Sequence, residues 1–311
     1  MIYTLTVNPS LDKLFILDTL RVGNYNRGEV ARYDLGGKGI NVSRCLQSLG
    51  VKSVVVGYFA GSTGGYLLDA INCMGIQVEP IMIDGESRSN ITLHESAVDR
   101  MTKLNEFGPI VDEDAYQMMI HKIAKMTRPG DIWVLSGSLS PGLPDDAYAV
   151  FIKTIRDCGG LTFLDTSGKW LEKGLEAVPD FLHINIEETE FIVQKKIKTR
   201  EDLQTAIQKI QEKGIAKAVI SMGAEGALFL DGEGARVVHA PSVKVRTTVG
   251  AGDAMMAMIV YGYLHHWSLK EISAWSVAAG SASVAQEGTS SVTMDQVASL
   301  MSSVITEEYD R

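Results

Sequence analysis

Cysteine is scarce in this chain of 311 residues: Cys45, Cys73 and Cys158 are odd in number, far apart and without a C-x-x-C pair. That spacing excludes a disulfide framework and a cysteine zinc cluster, and fits a reducing, cytoplasmic setting. Long hydrophobic runs are missing too. The most apolar late stretch, 254–264, falls well short of the roughly 20 residues of a membrane span. The first seven residues read as a strand without the basic region and apolar core of a signal peptide. Basic residues are outnumbered, 29 Lys plus Arg against 38 Asp plus Glu, for a net charge of −9. Neither nucleic acid nor a membrane is therefore expected as a partner, although a few local cations could still hold an anionic small molecule.

No proline-rich or serine-rich linker, low-complexity tract or internal repeat divides the chain. With 45% hydrophobic and 22% charged residues it has a globular composition, and one large α/β domain is favoured over two. Short β-branched or apolar runs at 2–7, 53–58, 91–94, 132–135, 162–164, 181–184, 218–221 and 227–230 are predicted strands. Between several of them, helical spacing marks 41–49, 63–74, 112–127, 145–158, 200–213 and 253–265. Gly50, Gly75, Gly159 and Gly214 follow four of these helices where a carboxyl-terminal cap belongs. This alternation predicts βαβ units on a mainly parallel, twisted sheet. Two regions, 13–33 and 86–107, break the pattern with polar-laced strands and turns and are predicted to form a small accessory sheet.

Four segments could carry chemistry. In Thr247-Thr248-Val249-Gly250-Ala251-Gly252-Asp253, small residues open an apolar helix and expose backbone N–H groups at the positive end of its dipole, an anion site. Asp253, in the first turn, could take the proton of a hydroxyl attacking a phosphoryl group held by Gly250, Ala251 and Gly252, and the helix start is expected to favour its charged form. An ordinary helix start with an acidic residue fits the same letters. In Gly36-Gly37-Lys38-Gly39-Ile40-Asn41, the glycines permit close backbone approach, Lys38 offers a cation and Asn41 both donor and acceptor, which suits a polyol phosphate; a solvated glycine loop fits as well. Asn185-Ile186-Glu187-Glu188, at a strand end, could orient a hydrated Mg²⁺ or simply start a helix. Ser221-Met222-Gly223-Ala224-Glu225-Gly226 could line a nucleotide or form a hairpin turn. Asp12, Arg27 and Arg88 gain a role only if they face the glycine-lysine loop. His265-His266 lacks a third residue at metal-ligand spacing, and Met255, Met256 and Met258 read as core filling. Neither a Walker A loop nor an early dinucleotide fingerprint is present, which disfavours an NAD-dependent oxidoreductase.

Taken in this order, the motifs resemble the ribokinase-like (PfkB) carbohydrate kinase family over essentially the whole chain. The two paired signatures are Gly36 to Arg44 running to Leu49-Gly50, and Thr247 to Asp253. Supporting segments are Val7-Asn8-Pro9-Ser10-Leu11-Asp12, Ser136-Gly137-Ser138, Leu164-Asp165-Thr166-Ser167-Gly168 and Ala279-Gly280-Ser281. The chain looks most similar to the phosphosugar branch, the 1-phosphofructokinases and tagatose-6-phosphate kinases. The resemblance implies a three-layer α/β/α sandwich with a mainly parallel central sheet, and a discontinuous β lid at about 12–35 and 86–107 inserted in a single domain, 1–311.

It also implies roles. Asp253 matches the catalytic base, and Gly250, Ala251 and Gly252 the anion hole. Asp12, Gly37, Lys38 and Asn41 match sugar-binding positions, and Arg27 and Arg88 match holders of the substrate's existing phosphate. Asn185 and Glu188 match the element that positions Mg²⁺ through water, while Ser221, Gly223, Gly226 and Gly280 fall on the ATP side. Where relatives commonly carry Lys-Pro before that metal element, this chain has His183-Ile184. The activity so implied is ATP-dependent phosphorylation of a ketohexose phosphate, fructose 1-phosphate to fructose 1,6-bisphosphate. Tagatose 6-phosphate and fructose 6-phosphate are the competing substrates, and a silent sugar-phosphate or nucleotide-binding regulator is the competing class. Apolar residues 14–17 of the lid make a lid-to-lid homodimer the expected assembly.

Overall fold

The computed structural model describes residues 1–232, 234–286, 288 and 291–309. Its strands are β1 (Ile2–Thr6), β2 (Ser10–Leu17), β3 (Glu29–Gly36), β4 (Val54–Ala60), β5 (Gln77–Ile83), β6 (Arg88–Glu95), β7 (Arg100–Asn105), β8 (Ile132–Ser136), β9 (Leu161–Asp165), β10 (Phe181–Asn185), β11 (Ala218–Ser221), β12 (Ala227–Leu230), β13 (Ala235–His239) and β14 (Ile305–Glu308). A ten-stranded sheet takes the order β14-β13-β12-β11-β10-β9-β8-β1-β4-β5. From β11 to β5 its strands are mutually parallel, and β12, β13 and β14 extend it antiparallel. The accessory sheet, order β3-β2-β6-β7, pairs β2 with β6 parallel and closes with an antiparallel hairpin partner on each side.

Both faces of the large sheet are covered, so its central strands are apolar throughout, as in Val54–Ala60 and Ile132–Ser136, where every residue is buried. Alternation along each strand assigns the faces. Leu5, Trp133, Leu135, Leu164 and Leu182 share one core with helices Glu113–Met126 and Ala147–Asp157. Ile132, Val134, Phe163, Phe181 and Val219 share the other with helix Ala251–Leu264. That helix lies against the sheet on one side and helix Leu269–Val284 on the other; Met255, Met256 and Met258 are all buried in it, as core filling requires.

Elements without a clean hydrophobic period escape the sequence reading. β5 is an edge strand carrying Glu79 and Pro80, tolerated there because proline lacks only an N–H that an edge does not need. β13 and β14 continue the sheet with mixed polar residues. Helix Leu269–Val284 buries Ser273, Ser276, Gly280, Ser281 and Ser283 along with its apolar residues, so it has no polar face to reveal it. Its small residues serve close packing: a Cβ on Gly280 would stand 2.8 Å from Met255 Cγ.

Candidate active site

The carboxyl ends of β1, β8, β9, β10 and β11 open onto one cavity of about 890 Å³, within the range of small-molecule sites. Chain order reverses between β1 and β8, the place where open α/β sheets bind ligands. Thr6, Ser136, Asp165, Asn185 and Ser221 are the last residues of those five strands, and all line the cavity. Helix Lys38–Ser48 and helix Ala251–Leu264 both begin there. Their caps need glycine: Gly37 has φ +119°, with Thr6 Cγ2 2.6 Å from where a Cβ would lie, and Gly250 has φ +89°. β2 and β6 contribute Ser10, Asp12, Arg88 and Asn90 from the accessory sheet.

The nominated residues converge with one exception. Asp12, Gly37, Lys38, Asn41, Arg88, Asn185, Glu188, Ser221, Gly223, Gly226, Gly250, Ala251, Gly252, Asp253 and Gly280 all line this cavity. Arg27 does not. It sits exposed in the connection between β2 and β3, where Asn26 accepts from Arg21 N and donates to Arg21 O, folding the loop on itself rather than toward the glycine-lysine turn. Ser221 to Gly226 is both things the sequence allowed, a β11–β12 hairpin turn and a cavity wall. Asn185 and Glu188 start a helix, one of the two readings open for them, and line the cavity. They form a capping box, Asn185 Oδ1 accepting from Glu188 N and Glu188 Oε2 from Asn185 N, both at 2.9 Å. Glu188 Oε1 takes no part in it and is an acceptor suited to the water of a hydrated Mg²⁺, an ion that prefers oxygen and keeps its waters, while the free Asn185 Nδ2 is a donor. Among the described residues no cluster of three or more His, Cys, Asp or Glu could cage a metal directly.

Several residues missed in the sequence complete the site. Asp165, fully enclosed, accepts from Lys38 Nζ at 2.5 Å and pairs with His183 Nδ1 at 2.9 Å. Asn90 donates to Asp12 Oδ1 at 2.7 Å, and Arg88 Nε donates to the Asn8 carbonyl at 3.2 Å. Thr6 Oγ1, Asn8 Oδ1, Asn90 Oδ1, Ser136 Oγ and His183 Nε2 are buried without a hydrogen-bond partner, and all five residues line the cavity. Buried polar atoms are ordinarily paired, so this concentration marks a surface built for a hydrogen-bonding ligand. Strand position was the available signal for three of them: Asn8, Ser136 and Asp165 each immediately follow a predicted strand.

Burial sets the electrostatics. Asp165 is held well below the usual carboxylate range because Lys38 and His183 outweigh its desolvation. The Lys38 ammonium also loses hydration, yet Asp165, Asp253 and Glu188 together keep its pKa above the ordinary lysine value. Burial raises Glu188. Asp253 corrects the expectation from the helix start: it is pushed up to about 6, because desolvation and the neighbouring Asp165 exceed the opposing effects of Lys38, the Asn41 Nδ2 hydrogen bond at 2.8 Å and His183. A carboxyl whose folded pKa lies above its unfolded value favours the fold only while protonated; that contribution is complete below about pH 4 and disappears as pH rises through about 6. Asp253→Asn is therefore expected to be more stable than the native protein at pH 7.5, by on the order of 3 kcal/mol. Urea unfolding should show this gain shrinking toward pH 4; a less stable variant at pH 7.5 contradicts the assignment.

Comparison with known proteins gives the same picture. The pfkB family carbohydrate kinase pattern matches residues 9–296. A 1-phosphofructokinase of Borreliella burgdorferi is 33% identical over 283 residues, 91% of each chain. A tagatose-6-phosphate kinase of Staphylococcus epidermidis is 31% identical over 300 residues, 95% of this chain and 96% of that one. The crystal structure of phosphofructokinase-2 from Escherichia coli in complex with potassium superposes with a TM-score of 0.91 at 28% identity, covering 97% of this chain and 98% of that chain. Ribokinase-like sheet order, paired glycine signatures and these relatives agree: the chain belongs to the pfkB family of carbohydrate kinases, ATP-dependent phosphotransferases.

Proposed function

We propose that this kinase transfers the γ-phosphoryl group of ATP to the free primary hydroxyl of a ketohexose phosphate, with fructose 1-phosphate as substrate and fructose 1,6-bisphosphate as product. One observation carries the reading: the buried carboxylate of Asp253, at the start of a helix that offers backbone donors, shares a single cavity with the cations Lys38 and Arg88. Asp253 takes the hydroxyl proton while the sugar oxygen bonds to phosphorus and the bond from phosphorus to the bridging oxygen breaks, releasing ADP. With its pKa near 6 it is mostly ionised at neutral pH and a stronger base than an ordinary aspartate. The N–H groups of Gly250, Ala251 and Gly252 face the charge that builds on the transferring group.

Lys38 and Arg88 hold the phosphate the sugar already carries; Asp12, Gly37 and Asn41 fix its hydroxyls. Ser221, Gly223, Gly226 and Gly280 flank the nucleotide, and Asn185 and Glu188 hold a Mg²⁺ ion through water, which when bound neutralises phosphate charge. The accessory sheet is a lid within a single domain, and the chain acts in the cytoplasm, where its three free thiols remain reduced. Partly exposed Ile16, Tyr33, Met101 and Leu104 on the lid strands supply apolar surface for a lid-to-lid homodimer.

A panel of fructose 1-phosphate, tagatose 6-phosphate, fructose 6-phosphate and unphosphorylated fructose, followed by coupled ADP release, tests the substrate. Highest kcat/KM on fructose 1-phosphate is expected, and a preference for either rival replaces it. Binding without ADP release from any sugar would instead favour a silent regulator. Asp253→Asn should lower kcat by about 10²-fold or more, the scale of a lost general base, with ATP affinity retained. In the native enzyme kcat/KM should fall on the acid side with a midpoint near 6; a flat profile down to pH 5 removes Asp253 as the base. Arg88→Ala should raise KM for the sugar phosphate roughly tenfold while leaving KM for ATP nearly unchanged, the loss expected of a phosphate-binding charge; an equal loss on fructose itself contradicts its role. Light scattering at micromolar concentration should give twice the chain mass, and a monomer removes the lid dimer.

A further inference from the structure

The Cα of Gly252, in the anion turn, lies so close to the His183 imidazole that a Cβ would stand 2.8 Å from Cε1. His183 is on β10, in register with Val219 of β11, and the residue before it, Leu182, is also in register with Leu164 of β9, which limits the freedom of its backbone to withdraw. The ring is fixed as well. Nδ1 lies 2.9 Å from Asp165 Oδ2, and Asp165 Oδ1 is held by Lys38 at 2.5 Å. Since Asp165 is ionised, Nδ1 supplies the proton of that bond. Nε2 is enclosed, with no hydrogen-bond partner among the described residues. The imidazole is thus tied down at Nδ1, and the ring carbon bonded to that nitrogen, Cε1, faces the backbone of Gly252.

Any rotation of this ring would either break the Asp165 bond or drive Cε1 into the turn. We propose that His183 is a positioning residue for phosphoryl transfer: locked by Asp165, its imidazole buttresses the 250–252 turn and sets where that turn's N–H groups point. This rests on the phosphotransfer reading above and adds a residue that lies outside the turn itself. Displacement of such donors by a fraction of an ångström weakens them in the transition state more than in the bound ground state.

The test is a cycle of His183→Ala, Gly252→Ala and the double variant, assayed on whichever sugar the panel shows to be turned over. His183→Ala is expected to reduce kcat about 10-fold to 100-fold, below the 10²–10³ of an oxyanion donor removed outright, with KM for the sugar phosphate within about twofold. Gly252→Ala in the native background forces the new methyl onto the ring and should be severely impaired. Without the ring the same methyl has room. The double variant should therefore be at least about tenfold more active than the product of the single losses predicts, the mark of two groups in contact. His183→Asn keeps a donor for Asp165 while removing the ring edge, and should reproduce the kcat loss if His183→Ala proves too unstable to assay. Losses that multiply independently, or a His183→Asn enzyme with native kcat, overturn the proposal. Calorimetric binding of a non-hydrolysable ATP analogue, which needs no sugar, separates the outcomes: near-native nucleotide affinity with reduced kcat supports the positioning role. If the native protein turns over no sugar at all, the phosphotransfer reading itself has failed.

Discussion

A carboxylate with almost no access to water, Asp165, holds the centre of the site together. Left unpaired in such a place, it would either pick up a proton or oppose folding by several kcal/mol. It is instead shared by Lys38, which opens a helix on one side, and His183, which sits mid-strand on the other. The pairing has consequences beyond itself. It draws the glycine-lysine turn onto the end of β9 and presses an imidazole against Gly252, so two turns distant in sequence take their places relative to one charge. Asp253 lies nearby, where among the described residues the Asn41 amide is its hydrogen-bond partner, and burial wins there. Two buried carboxylates in one cavity are thereby displaced in opposite directions, one kept as an anion and the other raised toward neutrality, the division expected of a structural group beside the proposed base.

The scaffold explains why this geometry can be kept. The site is assembled from the ends of parallel strands whose apolar runs are covered on both faces and whose backbones are paired on both sides. Helix Ala251–Leu264 is buried on nearly every face, against the sheet and against the small residues of helix Leu269–Val284, which leaves its first turn little room to shift. The accessory sheet is held differently. Buried Glu95 ties it together internally, its carboxylate accepting from Leu20 N and from Arg100, while its outer strand β7 is largely exposed. The groups proposed to carry the chemistry thus reside on the rigid part, and cavity-lining Asp12, Arg88 and Asn90 on the accessory sheet.

Local signals in the sequence were enough for the alternating framework, the four capping glycines, which all adopt positive φ, and the two glycine turns. They work because strand alternation, helix period and cap chemistry are short-range. Strand β5 and helix Leu269–Val284 were hidden by the same logic, one carrying an edge proline and the other serines on buried faces. The bridge from Lys38 to Asp165 spans 127 residues, and no spacing rule announces such a pair. The raised pKa of Asp253 could not be inferred from a helix start, since the dipole acts locally whereas desolvation depends on how everything else packs. Arg27 illustrates the converse. Its motif position suggested the phosphate site, but a turn closed by Asn26 and Arg21 leaves it in solvent.

The charge balance refines what the net value of −9 implies. A pocket for phosphorylated ligands would ordinarily be strongly basic, yet among the described residues its lining holds Asp12, Asp165, Glu188 and Asp253 against Lys38 and Arg88. One of those cations is already engaged with Asp165. A triphosphate entering alone would meet more negative than positive side chains, and Coulomb repulsion in a partly buried cleft is poorly screened. Two features offset this without adding lysine or arginine. Backbone donors at helix starts carry positive potential with no side chain to compete for space, and a divalent cation entering with the nucleotide would add positive charge near the Glu188 oxygen that the capping box leaves uncommitted. The carboxylates then work as selectors. They disfavour a bare polyanion, and burial among them leaves Asp253 with its pKa pushed up to about 6.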